Sequence, residues 1–167
     1  WRRVVEVNLM GVVHGCDAAF RLMAAQGGGH IVNIASLAGL VPFPTNAPYC
    51  ATKHAVVGLS QALRTEGEDL GVRVSVVCPG FIATNIFAAS DALNVSRDAL
   101  NRGIPFALVP AADAALRILD GVAANRAVIV FPGYARLAWW LFRLAPALVA
   151  PLGRRMIRDF RRLRQTV

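Results

Sequence analysis

The chain has 167 residues, 56% of them hydrophobic and 17% charged, with a formal net charge of +8. That length and apolar content suit one α/β domain with a real core and exclude a disordered chain. Cys16, Cys50 and Cys78 have no CxxC spacing, which excludes a disulfide framework and reads as reduced and intracellular.

The chain begins at Trp1 with no secretory signal, and the lack of an initiating Met reads as a missing N-terminus. Val4, Val5, Leu9, Val12, Val13, Cys16, Ala19, Phe20 and Met23 recur at spacings of three and four, which predicts a helix over 1–26. Gly27 to Gly29 stop it as a helix-to-strand turn and precede a β-branched strand at 30–35; a phosphate loop would follow the strand. Pro42, Pro44 and Pro48 keep 37–48 as loop, with Pro48 at the entry of a helix over 49–69 that Gly71 ends. Residues 72–78, VRVSVVC, suit a parallel strand buried on both faces and broken by Pro79 and Gly80. Residues 81–110 lack a strong period; they allow short helices within 84–101 and make a candidate substrate lid. A helix over 111–124, with Ala114, Ala115, Ile118 and Leu119 inward, leads to a strand at 127–131. Strand and helix thus alternate, which predicts a partial Rossmann-like parallel sheet of about three strands flanked by helices, with a helical tail after it.

That tail, 134–167, carries eight arginines and one aspartate, so +7 of the +8 resides there. Its first part, YARLAWWLFRLAPALVAPL, has a longest uncharged run of about ten residues against the roughly 17–25 that a membrane span needs. Aromatic and apolar surface beside arginines suits an interfacial helix on an anionic membrane; the competing reading is packing over the cleft or against a sister subunit. The apolar neighbour disfavours nucleic acid as the partner of the basic patch. The expected domains are therefore 1–133, catalytic in character, and 134–167, the tail. The expected location is cytoplasmic, with membrane association through the tail.

The chemical content is concentrated at 31–53. Tyr49 and Lys53, at i and i+4, share a helix face. A cation there favours phenolate and lowers a pKa that is near 10 unperturbed, so Tyr49 can exchange a proton with a carbonyl or alcohol oxygen. Ser36, at a strand's C-terminal end, lies where α/β sheets place ligands and could hold the same oxygen. Cys50 reads as packing and Asn33 as a strand residue bonded to loop backbone. His14, His30 and His54 have no ligand spacing, so no metal is expected. Phe81, Phe87, Phe106 and Leu93 line a substrate pocket or pin the insert to the core.

Taken together, VEVNLMG, IVNIAS, YCATK and CPGFIAT resemble the active-site half of the short-chain dehydrogenase/reductase family, over residues 1–133. The resemblance implies hydride transfer between NAD or NADP and a small alcohol or ketone, here an apolar one. It implies Tyr49 as proton exchanger, Lys53 as holder of the nicotinamide ribose, Ser36 as the group that orients the carbonyl, and Asn8 as holder of a relay water. Pro79, Gly80, Ile82 and Thr84 would meet the nicotinamide, and Ser36, Phe81 and Phe87 the substrate. Dimers or tetramers would form through the helices bearing Asn8 and Tyr49, with Ala62 and Leu63 compatible with that packing. No glycine-rich pyrophosphate loop is present, so the chain is expected to be a C-terminal fragment lacking the family's N-terminal dinucleotide-binding half, and inactive alone. The alternative is a non-catalytic fragment or dimerisation module. A nucleotide-sugar epimerase shares Tyr-x-x-x-Lys, but CPGFIAT argues against it.

Overall fold

The computed structural model describes residues 1–84 and 108–163. The expected insert helices and lid, with Phe87, Leu93 and Phe106, lie outside the described residues.

The sheet is built on β2 (Val72–Pro79), flanked in parallel by β1 (Gly29–Ile34) and β5 (Val128–Phe131) in the order β1-β2-β5. Ile31 pairs with Val74, Val77 with Ile129. Period-two alternation sends β2 side chains to opposite faces, and both faces are covered. On one, Val72, Val74, Val76 and Cys78 meet α2 (Gly11–Ala25) and α3 (Ala47–Glu66) through Cys16, Val56 and Val57. On the other, Val77, Ile129 and Phe131 meet α4 (Ala111–Ala123) through Ala114, Ile118 and Val122. The expected Ala115 and Leu119 instead face solvent: the sheet is reached by the 114, 118, 121, 122 stripe, where Ile129 lies against Gly121. A two-residue parallel pair, β3 (Ile82–Ala83) with β4 (Val109–Pro110), sits beyond the tip of β2 and is too short for any sequence signal.

Three boundaries differ from expectation. The first helix is interrupted: α1 (Arg2–Val5) passes through a π turn (Glu6–Met10) into α2, and a single wide turn is too short to leave a periodic signal of its own. A short 3₁₀ turn (Leu37–Gly39), too short for a periodic signal, lies in the proline loop. Finally α3 ends at Gly67, where an added Cβ would be 2.6 Å from the Val72 carbonyl oxygen; Gly71, at φ +70, belongs to the turn into β2.

Asn33 is buried between α2 and α3. Its Nδ2 donates to Ser60 Oγ at 3.0 Å and to Cys16 Sγ at 3.2 Å, so it ties β1 to both helices and does not bond loop backbone as expected. Asn33→Ala should lower stability by about 1–3 kcal/mol, the cost of stranding buried polar partners, read as a lower urea midpoint at unchanged m.

The tail forms α5 (Gly133–Leu144) and α6 (Pro146–Leu163). Ala135 is fully buried and, with Tyr134 and Phe142, packs on Leu37, Val41 and Phe43. No helix among the described residues is long and apolar enough to cross a membrane.

Candidate active site

Ser36 follows β1 and opens the 3₁₀ turn. Its backbone is still extended, and its Oγ accepts the Ala38 N–H at 3.1 Å. The hydroxyl hydrogen remains available to donate, and Ser36 approaches the Tyr49 phenol closely enough to favour its ionised form. Pro48 in the first turn of α3 suits a helix start, and one turn of helix then brings Lys53 onto the Tyr49 face: the ammonium lies 5.7 Å from the Tyr49 ring centroid. Lys53 Nζ donates to the Ile34 carbonyl at 3.0 Å, its one hydrogen bond among the described residues. Gly39 makes this approach possible, because an added Cβ would stand 2.6 Å from the Lys53 carbonyl oxygen.

The electrostatics differ from the sequence expectation. Burial raises the Tyr49 pKa above its usual value, opposed by the Ser36 hydroxyl, and burial lowers that of Lys53. The ammonium gives one hydrogen bond to a backbone carbonyl and lies over the ring, and desolvation of the phenol is the larger effect. A phenolate absorbance that vanishes in Tyr49→Phe should therefore emerge only above pH about 10, where an exposed phenol is half ionised. Cys78, wholly buried at the end of β2, is pushed up to about 12, chiefly by burial, so its thiol stays neutral and serves packing.

Loop and strand tips close the site. Cys50 packs as expected: its thiol meets the Phe43 backbone, with Sγ 3.3 Å from the amide nitrogen, and so pins the proline loop to α3. Phe43 stacks edge-on against Phe81 with centroids 6.2 Å apart. The Phe81 N–H donates to Tyr134 Oη at 2.8 Å, and the Gly80 N–H to the Phe131 carbonyl at 2.8 Å. Thus Pro79, Gly80 and Phe81 are held at the β2 tip, with Ile82 in β3 and Thr84 exposed after it. Asn8 lies in the π turn, which packs against α3, and its neighbour Leu9 joins the core beside Ala35 and Val56. Phe43 and Tyr134 were not singled out from the sequence. Their signal was slight, an aromatic between two prolines and a tyrosine after Pro-Gly. Among the described residues no group of three or more His, Cys, Asp or Glu could hold a metal.

Gly27 to Gly29 lie at the opposite end of β1, where the Gly29 N–H donates to the Gly71 carbonyl at 3.3 Å. They form the predicted turn, with Gly27 at φ +76, and are far from the Ser36 tip.

A parallel sheet whose strand tips gather a serine, a tyrosine and a lysine belongs to the Rossmann-like class of domains. The short chain dehydrogenase model matches residues 1–94, and the chain is a member of that family. Cyclohexanol dehydrogenase of Acinetobacter sp. is 43% identical over 88 residues, covering 53% of this chain and 35% of that protein. The 15-hydroxyprostaglandin dehydrogenase (NAD+) of Homo sapiens is 40% identical over 91 residues, covering 52% and 34%. A short chain dehydrogenase/reductase from Burkholderia phymatum, solved in complex with NAD, is 30% identical with a TM-score of 0.73, covering 85% of this chain and 57% of that one. The chain therefore spans about a third of the length of these curated relatives.

The match starts at residue 1, which overturns the expectation of a C-terminal fragment lacking the family's N-terminal dinucleotide-binding half. That expectation rested on the absent glycine-rich loop, a sheet of only about three strands and the lack of an initiating Met. A family likeness is spread over a whole fold, and here α1, the π turn, α2 and β1 already carry it ahead of Ser36.

Proposed function

We propose that this chain serves an NAD(P)-dependent oxidoreductase acting on a CH–OH group, with Tyr49 as the general acid and base. One observation carries this reading: Ser36 and Lys53 converge on the Tyr49 side chain at the strand tips, where Phe43 and Phe81 also pack edge-on. The residues fit the nicotinamide end of a dinucleotide. Lys53 spends one of its three N–H donors on Ile34, which leaves two for vicinal hydroxyls of a ribose. Pro79, Gly80, Ile82 and Thr84 supply backbone and a hydroxyl at the neighbouring tip. When bound, the nicotinamide supplies or accepts the hydride.

The protein's share is the proton. The raised pKa keeps Tyr49 protonated at neutral pH, ready to donate to a carbonyl oxygen, and alcohol oxidation is favoured as pH rises. Ser36, held by Ala38, orients the same oxygen, and the half-buried Asn8 holds a water toward Lys53. Phe43 and Phe81 favour an apolar ketone or secondary alcohol. The cyclohexanol and hydroxyprostaglandin relatives, named for such alcohols, support this substrate class. Domains of 1–133 and 134–167 remain our division of labour.

Association would use the outer face of α3, where Ala51, Ala55, Gly58 and Ala62 are exposed. Leu63, expected there, packs instead with Ile31 and Val72. Turnover of cyclic and long-chain secondary alcohols, followed by reduced-nicotinamide absorbance in wild type and Tyr49→Phe, tests the assignment. Equal rates in the two proteins would refute it.

A further inference from the structure

The tail divides its apolar surface between two directions. Inward, Ala135, Trp139 and Phe142 pack on the body, and Ala145, Val149, Gly153, Ile157 and Phe160 form a half-buried stripe along α6. That stripe crosses the active-site loop, where a Cβ on Gly153 would lie 3.7 Å from Pro44. Outward, Leu137, Trp140, Leu141 and Leu144 share the opposite face of α5, and Leu148, Leu152 and Met156 that of α6. Leu144 and Leu148 are each 75% exposed. This outward surface is not needed to hold the tail on the body, and nothing among the described residues covers it.

Its surroundings are one-signed. Arg136, Arg143, Arg154, Arg155, Arg158, Arg161 and Arg162 are all exposed, and Asp159 is the one acid between Gly121 and Val167. Asp159 meets Arg155 and Arg162 only at 3.8 Å. An exposed leucine row ringed by arginines, with Trp140 half out of the body, matches the boundary between acyl chains and anionic headgroups. A protein partner would have to bring matching acid to seven guanidinium groups, whereas an anionic bilayer presents it everywhere.

We propose that the outer face of α5 and α6 docks on an anionic phospholipid surface, with the helices lying in the interface. The test is cosedimentation of the full chain with vesicles of phosphatidylcholine alone and of an equal mixture with phosphatidylglycerol. Binding to the mixed vesicles should be at least tenfold tighter and should weaken steeply with added salt, because exposed charges are screened within a few ångströms near 1 M. Arg154→Gln/Arg158→Gln should weaken it roughly 30-fold, on the usual contribution of a basic residue at such a surface. Leu144→Glu/Leu148→Glu, both at exposed positions, should abolish it with circular dichroism unchanged. No binding to mixed vesicles at low salt overturns the proposal, as does binding insensitive to both double variants. A stable dimer in buffer that Leu144→Glu/Leu148→Glu dissociates, without vesicle binding, would assign the face to a second copy instead. None of these readouts depends on turnover.

Discussion

Tyr49→Phe should lower kcat for both ketone reduction and alcohol oxidation by about 10²–10⁴-fold, the usual contribution of a positioned proton donor or acceptor. The substitution removes one oxygen and leaves the ring, so the packing around it persists. Ser36 keeps its bond from Ala38, and Lys53 keeps Ile34. Dinucleotide affinity measured by fluorescence titration should therefore change by less than about threefold, and the melting temperature by no more than the loss of one hydrogen bond allows. A kcat that survives within threefold would mean that the proton leaves by another route, and the role assigned to the phenol would be wrong.

The second large effect should come from a methyl group. Gly39→Ala places a Cβ 2.6 Å from the Lys53 carbonyl oxygen and 3.0 Å from Val57 Cγ2, both on α3. Backbone must move, and either the 3₁₀ turn behind Ser36 or the helix bearing Tyr49 and Lys53 gives way. Overpacking of this kind costs about 1–3 kcal/mol. Denaturant unfolding should show that loss, and kcat/KM should fall with it, since the displaced elements carry the groups proposed to react. Gly58→Ala is the control on the same helix. A Cβ there meets nothing within 4 Å, so relief of glycine's helix penalty should stabilise by about 0.5–1 kcal/mol. If the two substitutions behave alike, the close contact at Gly39 is not what holds the site.

Much of this arrangement was readable in the sequence because it rests on period and punctuation. VRVSVVC suits a strand buried on both faces, and it is the middle of the sheet. Tyr49 and Lys53 were placed together by helical spacing alone, and the ring and ammonium do share a face. What the sequence could not show is three-dimensional neighbourhood. Whether Lys53 acidifies Tyr49 depends on where its hydrogen bond goes, and it goes to Ile34, 19 residues earlier in the chain. Leu63 lies on a helix whose two faces are both tolerant of leucine, and only the position of β2 decides which is the core. Tyr134 belongs by sequence to the tail, yet its hydroxyl receives an N–H from residue 81.

That last contact limits how the chain can be dissected. The helix that begins the tail also latches the β2 tip through Tyr134 and plugs the loop behind Ser36 through the wholly buried Ala135. Cutting the chain at Gly133 would thus loosen the loop and strand tip around the proposed site as well as strip its basic appendage. A shortened protein that lost turnover and lipid attachment together would say nothing about whether the two are linked, whereas charge swaps on the outer helical surface leave the latch untouched.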